Sequence, residues 1–347
     1  ISPKDWVRLS NDPGHPLYNR AVQSVYPPGS TFKIVVSLAG LDSGRIDPDE
    51  KVTCAGSLRS GKRAFRCWKK GGHGVVDFHK ALVESCDVYF YTAGEALGVE
   101  RLAYYARDFG LGQPTGIDLP GEVGGFVPSP EWKEKIHHLK WLGGDTLNMS
   151  IGQGFLAISP LQMANIVAMI ANEGKVYRPF VLRELRDAVS GAVVRRTTPE
   201  VLHVSAIRRE TFRTVQQAMR KVITDGTASV VITTKAVEVA GKTGTGEAGY
   251  EDRWHSWFAA YAPYQTDDPG ERVVVVVMVE AANEWEWWAP KAADVIFQGI
   301  FARQTFEEAV QTLGSSSSIP AASASLEPAT PTSSSSRSSG PARACCC

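Results

Sequence analysis

Ser30 and Lys33 form a pair whose types and spacing can do acyl chemistry. Residues three apart on a helix share a face, so a serine at a helix start and an amine one turn later point the same way. The serine N–H then lies at the positive end of the helix dipole, where a developing oxyanion is stabilised. A lysine whose proton affinity is depressed by burial or a nearby cation can take the serine proton. Ser30-Thr31-Phe32-Lys33 is the only S-x-x-K in the chain; alone, such a tetrapeptide arises often by chance. A second lysine stands in Gly241-Lys242-Thr243-Gly244-Thr245-Gly246, after the strand-like residues 237–240. There a cation and hydroxyls can hold a carboxylate, and the glycines let another backbone approach closely. An ordinary glycine-rich turn is the plainer reading. A phosphate loop is excluded, because Ala236 stands where the upstream glycine is needed. Third, Ser85-Cys86-Asp87 offers a hydroxyl and a short polar group two residues apart, enough for a proton relay, although Ser10-Asn11-Asp12 has the same form.

The elements that must carry these residues are legible in outline. Tyr26-Pro27-Pro28-Gly29 marks a turn, and the apolar run after it predicts a helix over 30–41, ending near Gly44. Residues 51–75 are rich in Gly, Cys and basic side chains and fit a loop or small knuckle. Helices are expected over 76–93 and 99–109, which puts Ser85 and Asp87 inside a helical stretch. Residues 110–160 read as loops. Ser159-Pro160 opens a helix to Asn172, with proline in the first turn where its missing N–H costs little. A further helix covers 205–224, strands 236–241, 254–262 and 272–280 follow, and a last helix spans 290–313. Helices, then strands, then a helix predict an α+β fold or mixed sheet with an inserted helical subdomain.

Composition narrows the function. The 347 residues are 43% apolar, enough for a sizeable core, and Lys+Arg and Asp+Glu both number 37. Zero net charge argues against a general nucleic-acid binder. No run approaches the roughly 18 apolar residues of a membrane span. The Ser-rich residues 315–347 lack apolar periodicity and are expected to be disordered. They end in Cys345, Cys346 and Cys347, for which no function is assigned.

Taken in order, S-x-x-K, S-x-[N/D] and K-T-G are the signature set of penicillin-binding proteins and serine β-lactamases. The longer blocks YPPGSTFK, SCDVYFY, SIGQGFLAISPLQMA, AGKTGTGE and HSWFAAYAP resemble class B penicillin-binding proteins, the elongation-type penicillin-binding protein 2 transpeptidases above all. The resemblance covers roughly residues 10–305. It implies the penicillin-recognising fold, an antiparallel sheet flanked by helices with a helical subdomain, in a transpeptidase domain over 1–314. It also implies D,D-transpeptidase activity on the D-Ala-D-Ala ends of peptidoglycan stem peptides. By matching position, Ser30 is the nucleophile, Lys33 the general base and Ser85 a proton relay. Asp87 stands where Asn is commoner, as it often does in the elongation-type enzymes, and its charge leaves its role open. Lys242 and Thr243 bind the terminal carboxylate, Gly244 lies between them and the oxyanion-hole residue Thr245, and β-lactams acylate Ser30. His255 and Trp257 have equal claims to the donor site and to the core. No catalytic cofactor is implied. The implied partners are stem peptides, β-lactams and a membrane glycosyltransferase. The implied location is the periplasmic face of the inner membrane, by way of an N-terminal anchor and pedestal absent from this chain.

Cys54, Cys67, His73 and Cys86 make a Cys3His set suited to a tetrahedral structural zinc, and some elongation-type enzymes hold zinc at matching positions. The rival is a Cys54–Cys67 disulfide with Cys86 free, which an extracytoplasmic compartment permits. Glu284-Trp285-Glu286-Trp287-Trp288 departs from the Gly-rich turn usual there and reads either as an aromatic face or as local packing. A β-lactamase and a non-catalytic β-lactam sensor remain as alternatives. Against the first stands the absence of an E-x-x-x-N loop for a deacylating water; a sensor would need a signalling domain not present here, and the intact Ser30, Lys33 and Lys242 argue against a dead scaffold.

Overall fold

Helix α1 (Lys33–Asp42) carries Ile, Val, Leu and Ala on every side, and a helix apolar all round must be buried. Every residue from Lys33 to Gly40 is buried. A 3-10 turn over Gly29–Phe32 precedes it and carries Ser30. The structure, a computed structural model, describes residues 1–250, 253–282 and 287–316.

Strands β5 (Ala240–Tyr250), β6 (Arg253–Ala262) and β7 (Val273–Ala282) form an antiparallel sheet with β6 at its centre and β5 at one edge. The short strands β1 (Val52–Cys54), β2 (Ser57–Ser60), β3 (Arg63–Arg66) and β4 (Gly74–Val76) belong to a separate knuckle. Both faces of β6 are covered. Trp257, Ala259 and Tyr261 join the large core of Phe32, Ile34, Phe212 and Met219, whereas Phe258, Ala260 and Ala262 join a second core with Ala293 and Phe297. Each such buried aromatic contributes about 1.5–3 kcal/mol of transfer free energy. The helices packed on these faces are α5 (Pro160–Ala171), α6 (Arg209–Thr224) and α7 (Trp288–Ala302). Helix α3 (Asp87–Asp108) packs on α4 (Gly143–Ser150) and on α1 to make the helical part. The fold is thus α+β, an antiparallel sheet flanked by helices, as expected.

Several boundaries differ for physical reasons. The helix expected over 76–93 is two helices, α2 (Phe78–Val83) and α3, because Ser85 adopts a left-handed backbone (φ 56°) between them. Ser85 therefore sits on a turn, not inside a helix. The K-T-G segment lies within β5 rather than in a turn after a strand. The region expected to be loops contains α4 and a helix over Pro130–His137, the latter opened by Ser129, whose side chain accepts from the Trp132 N–H. The last helix is broken at Arg303, itself left-handed (φ 54°), and a further helix, Phe306–Ser316, follows. Ser315 and Ser316 thus end a helix, and the rest of the Ser-rich segment lies outside the described residues.

The knuckle consists of β1 (Val52–Cys54) paired with β4 (Gly74–Val76), and β2 (Ser57–Ser60) paired with β3 (Arg63–Arg66). It brings residues 54, 67 and 73 up to the turn before α3.

Candidate active site

Ser30, Ser85, Asp87, Thr243, Gly244 and Thr245 line one cleft of about 420 Å³ at the junction of the sheet and the helical part. The turn carrying Ser30 is wedged between two other chain segments. Gly29 has φ 54°, and a Cβ there would lie 2.2 Å from the Thr245 carbonyl oxygen. From the other side Gly152 donates no side chain at all: its Cβ would lie 2.1 Å from the Gly29 oxygen, and its carbonyl accepts the Gly29 N–H at 2.9 Å. Backbone-on-backbone contact of this kind, which only glycine allows, fixes the nucleophile turn against the edge strand.

Behind Ser30, the Lys33 ammonium is completely buried and donates three ways: to Asp87 Oδ1 at 2.7 Å, to the Ser85 carbonyl at 2.9 Å and to Ser85 Oγ at 3.2 Å. Phe90 closes that side, its ring centre 5.4 Å from Nζ. The other Asp87 oxygen accepts the Trp68 N–H at 2.8 Å. Both oxygens of the carboxylate are committed, so Asp87 orients Lys33 and ties it to the knuckle. Lys242 is also fully buried, with Nζ donating to the Thr243 carbonyl at 3.1 Å. Burial first, and then the neighbouring charge of Lys33, hold its pKa well below the ordinary 10.5. Thr243 Oγ1 shares a 2.8 Å hydrogen bond with Thr227 Oγ1.

Thr227, Trp68 and Arg66 line the cleft without any signal in the local sequence, and Gln153 lines it from within the block SIGQGFLAISPLQMA. Trp68 is 58% exposed, yet its indole Nε1 donates to the carbonyls of Glu84 and Ser85 at 3.2 and 3.1 Å. These bonds brace the left-handed turn that presents Ser85. Trp287 also lines the cleft, which gives the aromatic segment one residue at the site; Glu284 to Glu286 lie outside the described residues.

His255 and Trp257 do not line the cleft. Trp257 is fully buried and meets Tyr26 edge-on, ring centres 6.3 Å apart. His255 accepts the Ala281 N–H through Nδ1 at 3.2 Å and packs on Tyr26 at 4.9 Å. Burial lowers its pKa. Both residues belong to the core, because the face of β6 that carries them is covered by the segment leading into Ser30.

Cys54, Cys67, His73 and Cys86 come together as expected. All four are buried, and one donor atom from each lies within 4.8 Å of every other. His73 Nδ1 stands 3.5 Å from Cys54 Sγ and 3.4 Å from Cys67 Sγ. The three cysteines are unbridged. A hydrogen bond from Cys86 holds the Cys67 thiol down to about 5, and the same contact with burial pushes Cys86 up. A clustered, buried set of three sulfurs and an imidazole matches the donor chemistry of closed structural zinc sites. His73 Nε2 is buried without a partner among the described residues.

Comparison with known proteins agrees with this fold. The family model for the penicillin binding protein transpeptidase domain matches residues 2–302. The peptidoglycan D,D-transpeptidase MrdA of Haemophilus influenzae is 36% identical over 309 residues, 82% of this chain but only 45% of that protein. Penicillin-binding protein 2 of Pseudomonas aeruginosa, solved in complex with WCK 5153, superposes with a TM-score of 0.75 at 33% identity, over 87% of this chain and 66% of that one. A chain of a peptidoglycan synthase complex that coordinates polymerization and crosslinking gives 0.74 at 31% identity, over 88% and 51%. A match over nearly the whole chain, in sequence and in fold, carries one conclusion: the chain belongs to the penicillin-binding protein transpeptidase domain family.

Proposed function

We propose that this chain is the catalytic unit, over residues 1–314, of a peptidoglycan D,D-transpeptidase of the elongation type. The observation that carries the reading is the Lys33 ammonium, buried between Ser30's turn and the Ser85–Asp87 turn and bonded to both Ser85 Oγ and Asp87. In this reading Lys33 acts as the neutral amine and takes the proton as Ser30 Oγ attacks the carbonyl of the penultimate D-Ala. The N–H groups of Ser30 and Thr245 receive the oxyanion. Ser85 passes a proton to the departing D-Ala nitrogen as the C–N bond breaks. An amine from a neighbouring stem peptide then attacks the ester and restores Ser30. Lys242, Thr243 and Thr227 hold the terminal carboxylate, with Gly244 leaving room for it. β-Lactams copy the D-Ala-D-Ala end and stop at the ester.

The test is intact-mass measurement after incubation with benzylpenicillin, followed by peptide mapping. One persistent adduct on the peptide containing Ser30 is expected. Sustained hydrolysis of a chromogenic cephalosporin without a persistent adduct would replace this reading with a β-lactamase, and neither adduct nor hydrolysis with a non-catalytic sensor.

The buried Lys242 has a cost with a definite sign. Its pKa is depressed on folding, so the stability it leaves intact is greatest above 10.5 and is lost as pH falls toward the lowered value. Lys242→Met should therefore melt at a higher temperature than the wild type at pH 7, with the gap closing as pH rises to 10.5. The same change should weaken benzylpenicillin binding about 10- to 100-fold, the worth of a hydrogen bond to a charged group. Thermal melts across pH, read beside acylation kinetics, check both.

Cys54, Cys67, His73 and Cys86 are proposed to hold a structural zinc. When bound it would tie the two ribbons of the knuckle to the first residue before α3, and it would take no part in the acyl transfer. Stem peptides lie outside the cytoplasmic membrane, which supports a periplasmic site of action at the inner membrane. Among the described residues no helix is long and apolar enough to cross a membrane. The likeness to a chain of a peptidoglycan synthase complex supports a membrane glycosyltransferase as partner.

A further inference from the structure

The outer edge of β5 is where a peptide would have to lie to meet Ser30, and part of that lane is already filled. Strand β6 takes one side of β5, and no strand takes the other among the described residues. Against the open side lies the carboxamide of Gln153. Its Nε2 donates to the Thr245 carbonyl at 3.1 Å, and its Oε1 accepts the Glu247 N–H at 3.3 Å. One side-chain amide thus takes an acceptor and a donor of the edge, two residues apart, that an added strand would otherwise take. Gln153 is only half-buried, and it stands between Gly152 and Gly154, both with positive φ (74° and 76°).

Strand geometry states what a substrate would ask of the same edge. A residue paired against Thr245 in an antiparallel ladder exchanges two bonds with it: its C=O accepts from the Thr245 N–H and its own N–H donates to the Thr245 carbonyl. A scissile carbonyl placed at the Thr245 N–H therefore aims the N–H of the same residue at the oxygen that Gln153 holds. We propose that Gln153 is a displaceable stand-in for the substrate's peptide group, which keeps the edge of β5 paired until an extended acyl donor with an N–H at that position takes its place. The inference rests on the transpeptidase reading and adds a specificity element to it. Ligands that carry the N–H displace Gln153; ligands without it bind beside it.

Two β-lactams separate the cases. Benzylpenicillin has an acylamino N–H next to its lactam carbonyl, and imipenem has a hydroxyethyl group there. Stopped-flow acylation would give the binding constant and the acylation rate constant for each, on wild type, Gln153→Ala and Gln153→Met. The methionine variant keeps the length of the side chain without either hydrogen bond. Both variants should bind benzylpenicillin about three- to tenfold more tightly, the size of one neutral hydrogen bond no longer displaced. Its acylation rate constant, and both constants for imipenem, should stay as in the wild type. Losses shared by the two drugs would make Gln153 a strut of the strand and overturn the inference, as would no change with either. Failure of the wild type to form any adduct would instead sink the acyl-enzyme reading, and this inference with it.

Discussion

Lys33→Ala is expected to slow acylation by benzylpenicillin about 10²–10⁴-fold, the range for loss of a positioned general base. Ser30 would keep its place, because the Gly29, Gly152 and Thr245 backbones hold its turn without help from the lysine. The variant would also be less stable. Asp87 would stay buried with one oxygen on the Trp68 N–H and the other without its cation. Breaking a buried pair from one side costs about 3–5 kcal/mol. Lys33→Ala/Asp87→Ala removes the stranded charge and should recover much of that stability without recovering acylation. Melting temperature and acylation rate on the two variants therefore separate base from strut. A single variant that acylates at the wild-type rate would remove Lys33 from the chemistry.

His73→Ala is expected to release the proposed zinc, lower the melting temperature and impair acylation together. Structural zinc in small peptides is worth on the order of 10 kcal/mol at pH 7. Here the knuckle also packs on the helical part, so a smaller share would appear as stability. A loss of even about 3 kcal/mol lowers Tm by roughly 4–5 °C in a domain of about 300 residues. The catalytic effect follows from the chain path. Cys86 lies between Ser85 and Asp87, and Trp68, next to Cys67, donates to Asp87 and to the Ser85 carbonyl. A loosened knuckle would misplace both groups, and errors of about 1 Å at a reacting centre cost roughly 10²-fold. Metal analysis of the purified wild type, with melting and acylation of the variant, tests this. A metal-free wild type with Cys54 and Cys67 cross-linked would establish the disulfide instead.

Ser30, Lys33, Ser85, Asp87 and the K-T-G segment were legible because each motif is short and keeps its residues at fixed local spacing. What escaped the sequence depends on contacts between distant segments. Gly244 and Gly246 read as a turn by composition. They are strand residues because their face meets the segment into Ser30, where a Cβ would lie 2.8 Å from the Thr31 methyl or 2.3 Å from the Pro27 carbonyl. The break at Ser85 was hidden because serine does not advertise a left-handed backbone; the bonds from Trp68 and Lys33 to its carbonyl make it tenable there. Thr227 carries no local pattern, Gln153 stood in a motif block without a role, and only the fold brings them to Thr243 and Thr245. Conversely, His255 and Trp257 lie near K-T-G in the chain and face away from the cleft. Proximity in sequence is a poor guide to function on a strand, where neighbours alternate sides.

An edge strand left open for one peptide is open to every peptide. Exposed, unpaired N–H and C=O groups on a sheet edge are templates for pairing with a second chain. The bonds from Gln153 to Thr245 and Glu247 remove one acceptor and one donor from that template, and the turn bearing Ser30 crowds it from the other end. The protein thus keeps its reactive edge short. What protects it from self-association at high concentration is the same side chain that any acyl donor would have to move aside.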